Sequence, residues 1–234
     1  MSKGEPNTLD YRVYLTQTPL ANSSGGARVL SFWHDVPLKS MRSLAHQPIF
    51  HYVNEIPKGT TAKNEVSGEE EGNPIRQDTK NGKPRYSFPF AVVLSGFLQL
   101  RFLNHGPVLH NYGCLPQTWE DPSVKQTPEQ LPGDNDPVDV LEIGDRVLGV
   151  GEVVEVRLLG AMALVDEDEC DWKLIAINVA DPKAATVHDI ADVPQATIDA
   201  IREWYRVYKV IDGKPANRYA YDGKAFGKVH GSTR

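Results

Sequence analysis

The stretch GDNDPVDVLEIG, residues 133–144, is the most informative part of this chain. Its first half holds three aspartates, Asp134, Asp136 and Asp139, and an apolar segment follows them directly. Carboxylates this close together repel one another unless a positive group lies between them. A hard cation such as Mg²⁺ prefers oxygen ligands, and Pro137 stiffens the turn that carries them. The stretch therefore predicts a preorganised metal site.

Two other interpretations compete with a metal site. Asp and Asn are common in turns and helix caps, so an ordinary acidic turn accounts for the same residues. A calcium-binding EF-hand loop needs oxygen ligands at its first, third and fifth positions and glycine at its sixth. Counted from Asp134, the fifth residue is Val138 and the sixth is Asp139, so the EF-hand pattern fails.

The composition is that of an ordinary globular chain of 234 residues with a net charge of −6. This acidic balance argues against a nucleic-acid partner, which would favour a basic patch. Cys114 and Cys170 lack the spacing of zinc ligands, so we expect reduced thiols. Residues 1–7 have no apolar core of the kind that a secretory signal needs, so we expect a cytoplasmic protein. The apolar run 88–103 is too short and too polar to span a membrane, so we predict no membrane partner.

Most of the chain predicts short strands separated by turns. The strands beyond residue 150 are predicted at 152–158, 161–165 and 173–179. Near the C-terminus, Ile198, Ile201 and Tyr205 recur at helical spacing, and we expect Asp192 to cap this helix with Pro194 in its first turn. Many short strands with few helices favour a small barrel or a sandwich.

A second acidic turn, residues 165–173, joins two of the predicted strands. Its middle residues, 167–169, are typical of a solvated hairpin tip. Asp166 and Asp171 fall at strand ends and are able to point back toward the body of the fold. Lys173 follows Asp171 at the two-residue spacing that places side chains on one face of a strand.

Cations and phenols recur at the ends of other segments, and the clearest are Lys63, Arg85, Tyr208 and Lys209. Each alone is typical of a solvated surface group. Acids that hold metals, combined with Lys, Arg and Tyr side chains that hold oxyanions, together indicate a phosphate substrate bridged to metal ions.

Seven segments carry a resemblance to a known family. They are EIPKGTTAKNE (55–65), NPIRQDTKNGKPRY (73–86), HNYGCLPQTWEDP (110–122), GDNDPVDVLEIG (133–144), VDEDECDWKLIAINV (165–179), DIADV (189–193) and EWYRVYKVIDGKPAN (203–217). In this order, over about residues 50–217, they make the chain resemble the soluble inorganic pyrophosphatases of family I, in their eukaryotic form. The DNDPVD sequence is the most specific of these motifs.

The resemblance implies a mainly β (α+β) fold, a compact closed β-barrel of OB-fold-like type with flanking α-helices. It implies a single pyrophosphatase domain over residues 1–234 that acts as a homodimer. The implied reaction is hydrolysis of pyrophosphate to two orthophosphates, with several Mg²⁺ ions in each active site and Mn²⁺ as a substitute.

The resemblance also implies a role for each candidate residue. Asp134, Asp139 and Asp171 are implied to bind the metal that activates water, and Asp139 to reach a second metal. Asp136 is implied to accept a proton from that water. The metals that travel with the substrate are implied to contact Asp166, Glu65 and, more distantly, Glu55. The phosphate contacts are implied to come from Lys63, Arg85, Lys173, Tyr208 and Lys209.

Three features depart from the family pattern. The apolar run 87–103 is extra material, either a genuine insertion or an error of the gene model. Val108 stands where the family has a tyrosine that helps to hold phosphate or water. The chain ends at Arg234, where relatives run on into another helix. These departures leave a second function open, a catalytically weakened protein that binds metal and pyrophosphate with little turnover.

Overall fold

The computed structural model describes residues 1–17, 26–44, 47–79 and 103–227. The first strands are β1 (Ser2–Lys3), β2 (Arg12–Val13), β3 (Leu15–Gln17), β4 (Arg28–Leu30), β5 (Lys39–Leu44), β6 (Gln47–Ile56), β7 (Asn64–Val66) and β8 (Ile75–Gln77). The later strands are β9 (Asn111–Cys114), β10 (Asp139–Glu142), β11 (Val153–Asp166), β12 (Glu169–Asn178), β13 (Arg218–Tyr219) and β14 (Phe226–Gly227). Within these ranges the structure has one α-helix, α1 (Gln195–Val207), and 3₁₀ segments at Pro182–Ala185, Ile190–Asp192, Val210–Asp212 and Ala220–Gly223.

Five strands pair edge to edge into a closed ring, in the order β6, β9, β10, β12 and β11. Pairing of Val53 with Val153 joins β11 back to β6 and closes it. Every pairing in the ring is antiparallel except that of β10 with β12, which is parallel. The closed ring and the predominance of strands confirm the mainly β, OB-fold-like architecture predicted from the resemblance.

Helix α1 packs against the ring through one apolar face. Ile198, Ile201, Trp204 and Tyr205 are its buried residues, and their three- and four-residue spacing places them on one side of the helix. They join the largest apolar cluster, which also contains Leu141 of β10 and neighbouring residues of β11 and β12. This packing fixes the C-terminal end of α1, where the chain continues into the pocket described below.

The predicted start of the helix was wrong by a few residues. The Asp192 carboxylate accepts the backbone N–H groups of His188 and Asp189. It therefore caps the N-terminal end of the 3₁₀ segment Ile190–Asp192 rather than α1. Pro194 is the boundary residue and Gln195 begins the helix. The carboxylate is already used one turn earlier, which sequence spacing alone does not reveal.

The predicted strands 152–158 and 161–165 form one continuous strand, β11, with a register shift between Leu158 and Gly160. The predicted strand 173–179 lies mostly within β12. Of the apolar run 87–103, only Leu103 is among the described residues, and it is buried in the largest apolar cluster. No helix in the described part of the chain is long and apolar enough to cross a membrane.

Candidate active site

A polar pocket of about 240 Å³ lies beside β10 and collects the candidate residues. It is lined by Glu55, Lys63, Glu65, Asp134, Asp136, Asp139, Asp166, Asp171, Lys173, Tyr208 and Lys209. Arg85 lies outside the described residues. Segments that are distant in the sequence, from β6, β7, the acidic loop before β10, the β11–β12 hairpin and the end of α1, therefore meet at one site.

The strand register of the ring explains much of this convergence. Asp139 is the first residue of β10, and it is paired with Lys173 in β12 on one side and Cys114 in β9 on the other. The tight turn between β11 and β12 brings Asp166 and Asp171 to the same pocket. Glu169 is exposed beside the hairpin turn, as predicted, and as the first residue of β12 it also lines the pocket.

The acidic loop before β10 is held by backbone contacts with Glu120. The Asn135 N–H donates to the Glu120 carbonyl (3.0 Å), and the Glu120 N–H donates to the Asp136 carbonyl (2.9 Å). A Cβ atom at Gly133 would lie 2.3 Å from the Glu120 carbonyl oxygen, so only glycine allows this close approach. The Asp136 N–H also donates to Oδ1 of Asp134 (3.0 Å), which fixes the Asp134 carboxylate relative to the backbone of Asp136.

Lys173 is the buried cation at the centre of the pocket, with 3% of its surface exposed. Its Nζ donates to Asp171 Oδ1 (2.5 Å), to Tyr112 Oη (3.2 Å) and to Asp139. Burial lowers the pKa of Lys173, but Asp139 and Asp171 outweigh burial and hold the pKa well above its usual value. The ammonium therefore stays charged among the carboxylates.

Two further lysines of the pocket are paired with carboxylates. Lys209 Nζ donates to Oδ1 of Asp166, and Tyr208 Oη donates to Oδ2 of the same carboxylate (3.0 Å). Lys63 Nζ donates to Glu65 Oε2 at 2.9 Å. A ligand with several negative oxygens is matched by the lysines, and cations are matched by the acids.

Crowding of acids raises the pKa values of several carboxyl groups. Desolvation, followed by repulsion from Asp134, Glu65 and Asp139, raises the pKa of Asp136 to about 7. Burial, followed by repulsion from Asp171 and Asp134, raises the pKa of Glu120 to about 10. Such crowding is typical of residues that share a bound cation.

Glu120 was missed by the sequence interpretation. Glu120, Asp134 and Asp171 each place one carboxylate oxygen within 4.8 Å of the other two. This donor set of oxygens fits a hard divalent cation such as Mg²⁺. The one signal in the sequence was the position of Glu120 in the segment HNYGCLPQTWEDP (110–122), one of those that carried the resemblance.

Val108, where the family tyrosine was expected, is 3% exposed and belongs to the largest apolar cluster. A different phenol, Tyr112 of β9, lines the pocket and donates to Asp139. The pocket therefore has a tyrosine beside its central lysine, although it comes from another position.

Comparison with known proteins places this chain in a family. The family model described as inorganic pyrophosphatase matches residues 52–229. The chain belongs to this family.

Curated members of the family match nearly the whole chain. An inorganic pyrophosphatase of Eremothecium gossypii is 45% identical over 225 residues, which cover 95% of this chain and 70% of the relative. The mouse protein named inorganic pyrophosphatase 2, mitochondrial, is 41% identical, with 94% of this chain and 66% of the relative covered.

Solved structures of family members share the fold. The inorganic pyrophosphatase of Trypanosoma brucei brucei has a TM-score of 0.83 and 39% identity, and the match covers 97% of this chain and 64% of that one. A truncated vacuolar soluble pyrophosphatase of Trypanosoma cruzi, solved in complex with PPi, has a TM-score of 0.83 and 37% identity. It is matched over 97% of this chain and 83% of its own length.

Proposed function

We propose that this protein hydrolyses inorganic pyrophosphate to two orthophosphates and that it requires a divalent metal, with Mg²⁺ preferred and Mn²⁺ as a substitute. Family membership supports the reaction. The observation that carries the proposal is the pairing of three lysines with carboxylates in a single pocket. Such a pocket matches an anionic substrate that binds together with cations.

The acids of the pocket divide into ligands and a base in this proposal. Asp134, Asp139 and Asp171 would hold one metal, and Asp136 would accept a proton from the attacking water. Asp166, Glu65 and, more distantly, Glu55 would hold the metals that accompany the substrate. Asp136 suits this role because it lines the same pocket as the acids that would hold the metals. When bound, divalent metals neutralise phosphate charge and favour ionisation of water near pH 7.

The cations and phenols position the substrate. The proposed phosphate contacts are Lys63, Arg85, Lys173, Tyr208 and Lys209. Lys173 and Lys209 are held in place by their carboxylate partners, so their charges are fixed before substrate arrives. Fixed positive charges stabilise the negative charge that develops on the leaving phosphate.

Phosphate release from pyrophosphate tests the proposal. We expect the wild-type chain to release phosphate with Mg²⁺ and to lose this activity when the metal is chelated. Asp136→Asn keeps the size of the side chain but cannot accept the proton, so it should abolish release. Absence of Mg²⁺-dependent phosphate release by the wild type would refute the proposed function.

We also propose that residues 1–234 form one pyrophosphatase domain, that the protein is a homodimer and that it acts in the cytoplasm without a nucleic-acid or membrane partner. Light scattering of the purified chain tests the dimer. Microscopy of the tagged protein tests the location, for which a mitochondrial signal is the contrary result because the mouse relative is named mitochondrial.

A further inference from the structure

Glu120 is a buried acid that is hydrogen-bonded to both segments that carry Asp134 and Asp171. It lies in the connection between β9 and β10, and 3% of its surface is exposed. Its backbone is bonded to the acidic loop at Asn135 and Asp136. Its Oε1 accepts the backbone N–H of Trp172 in β12 at 3.0 Å. One residue thus joins the loop that carries Asp134 to the strand that carries Asp171.

The other carboxylate oxygen of Glu120, Oε2, is buried and has no hydrogen-bond partner among the described residues. None of the described lysines or arginines forms an ion pair with Glu120. A buried polar atom without a partner is costly, and a carboxylate oxygen more so. One oxygen of Glu120 lies within 4.8 Å of carboxylate oxygens of both Asp134 and Asp171.

We propose that Glu120 is a further carboxylate of the metal site, its unpartnered oxygen facing a divalent cation that Asp134 and Asp171 also hold. The inference rests on the metal dependence of the proposed function and adds a residue to the set expected from the resemblance. A cation at this position supplies the partner that Oε2 lacks. The bonds of Glu120 to the loop and to β12 keep the other two carboxylates in register around the ion.

Binding of Mn²⁺ to the full-length, metal-stripped protein tests the assignment without substrate. Electron paramagnetic resonance gives the dissociation constant of the tightest Mn²⁺ site in the wild type and in Glu120→Gln. The glutamine retains an oxygen to accept the Trp172 N–H but removes the negative charge. We expect Glu120→Gln to raise this dissociation constant about tenfold or more, with no fall in the thermal midpoint of the metal-free protein.

Two controls separate a role in the metal site from a structural one. Glu71→Gln changes an exposed glutamate that does not line the pocket, and it should leave Mn²⁺ affinity at the wild-type value. If Glu120→Gln does not fold, Glu120→Asp keeps the charge but withdraws it by one methylene, and we expect weaker Mn²⁺ binding by the folded variant.

The proposal is overturned if folded Glu120→Gln binds Mn²⁺ with wild-type affinity, because Glu120 would then be a purely structural acid. Where Glu120→Asp has to be used instead, wild-type affinity in that variant has the same consequence. Pyrophosphate hydrolysis by the wild type is measured in the same preparation. Failure of hydrolysis with retained Glu120-dependent Mn²⁺ binding refutes the proposed reaction alone. Hydrolysis with Mn²⁺ binding that is independent of Glu120 refutes this inference alone.

Discussion

The two ends of β10 carry acids in opposite situations. At its C-terminal end, Glu142 is 1% exposed, and both carboxylate oxygens have partners. Oε1 accepts the N–H groups of Gly144 (2.7 Å) and Asn178 (2.9 Å), and Oε2 accepts from Asn111 Nδ2 (2.8 Å). This acid ties strands and turns together and does not line the pocket.

At the N-terminal end of β10, Asp139 faces the buried Lys173 and lies close to further acids of the pocket. There the carboxylates of the pocket outnumber its lysines, and Glu120 nearby retains a buried oxygen without a partner. Burial of an acid therefore does not by itself indicate a functional site. An acid whose bonds are complete stabilises the fold, and a group of acids with incomplete bonds is suited to a cation.

The largest effect is expected at the pocket end. Asp134→Asn keeps an Oδ1 atom for the Asp136 N–H but removes a charge from the cluster. We expect kcat/KM for pyrophosphate to fall about a hundredfold or more, while the metal-free protein keeps its thermal midpoint. Phosphate release and thermal unfolding measure the two effects. An activity within threefold of wild type would contradict the functional role of the acids at the N-terminal end of β10.

At the C-terminal end of β10, we expect a substitution to lower stability and to leave activity nearly unchanged. Glu142→Gln replaces an acceptor with an amide nitrogen, which leaves at least one buried donor without a partner. We expect the free energy of unfolding to fall by about 1–3 kcal/mol. Activity per folded molecule should change less than about twofold, because Glu142 does not line the pocket. Urea unfolding and phosphate release give these values, and a loss of activity without a loss of stability would be the opposite result.

A pH effect on stability should come from the pocket end. The folded pKa of Glu120 is about 10 and that of Asp136 about 7, both above the ordinary values of 4.5 and 3.8. Between the ordinary and the raised pKa, the folded state binds more protons than the unfolded state, so stability falls as pH rises. We expect the metal-free protein to be less stable at pH 8.5 than at pH 5.5.

Thermal unfolding in a chelator, measured at several pH values, tests this dependence. Saturating Mg²⁺ should weaken the dependence by stabilising the charged acids. Glu120→Gln should also reduce the slope of stability against pH, because Glu120 has the widest interval between its ordinary pKa and its raised pKa. A thermal midpoint of the metal-free wild type that rises from pH 5.5 to pH 8.5 would show that the acids are not crowded.

The smallest effect is expected at an exposed ion pair close to the Glu142 end. Lys183 contacts Asp145, and the side chains are 52% and 66% exposed. Solvent screens such a pair, so Lys183→Met should leave the urea midpoint of unfolding close to that of the wild type. A clear fall in this midpoint would mean that the stability of this end depends on surface charge rather than on buried Glu142.

The sequence indicated the acids, the lysines and a mainly β fold, because DNDPVD and its companion segments are specific motifs. Glu120 was not identified, since it lies in an irregular connection and its relation to Asp134 and Asp171 exists only after the ring has closed. Asp192 was misplaced because a carboxylate near a helix start has a choice of backbone donors. The roles of the pocket residues stay predictions, and Arg85 lies outside the described residues.

The single parallel pairing in the ring bears on how the protein folds. The β11–β12 hairpin is local in the sequence, so Asp166 and Asp171 meet early. Asp139 reaches Lys173 only when β10 pairs in parallel with β12, and β11 lies between these two strands in the sequence. Such non-local pairing is slow. We therefore expect Mn²⁺ affinity to be recovered later than hairpin structure during refolding, which stopped-flow mixing with a metal indicator can follow. Metal capture would then be a sign that the chain has finished folding.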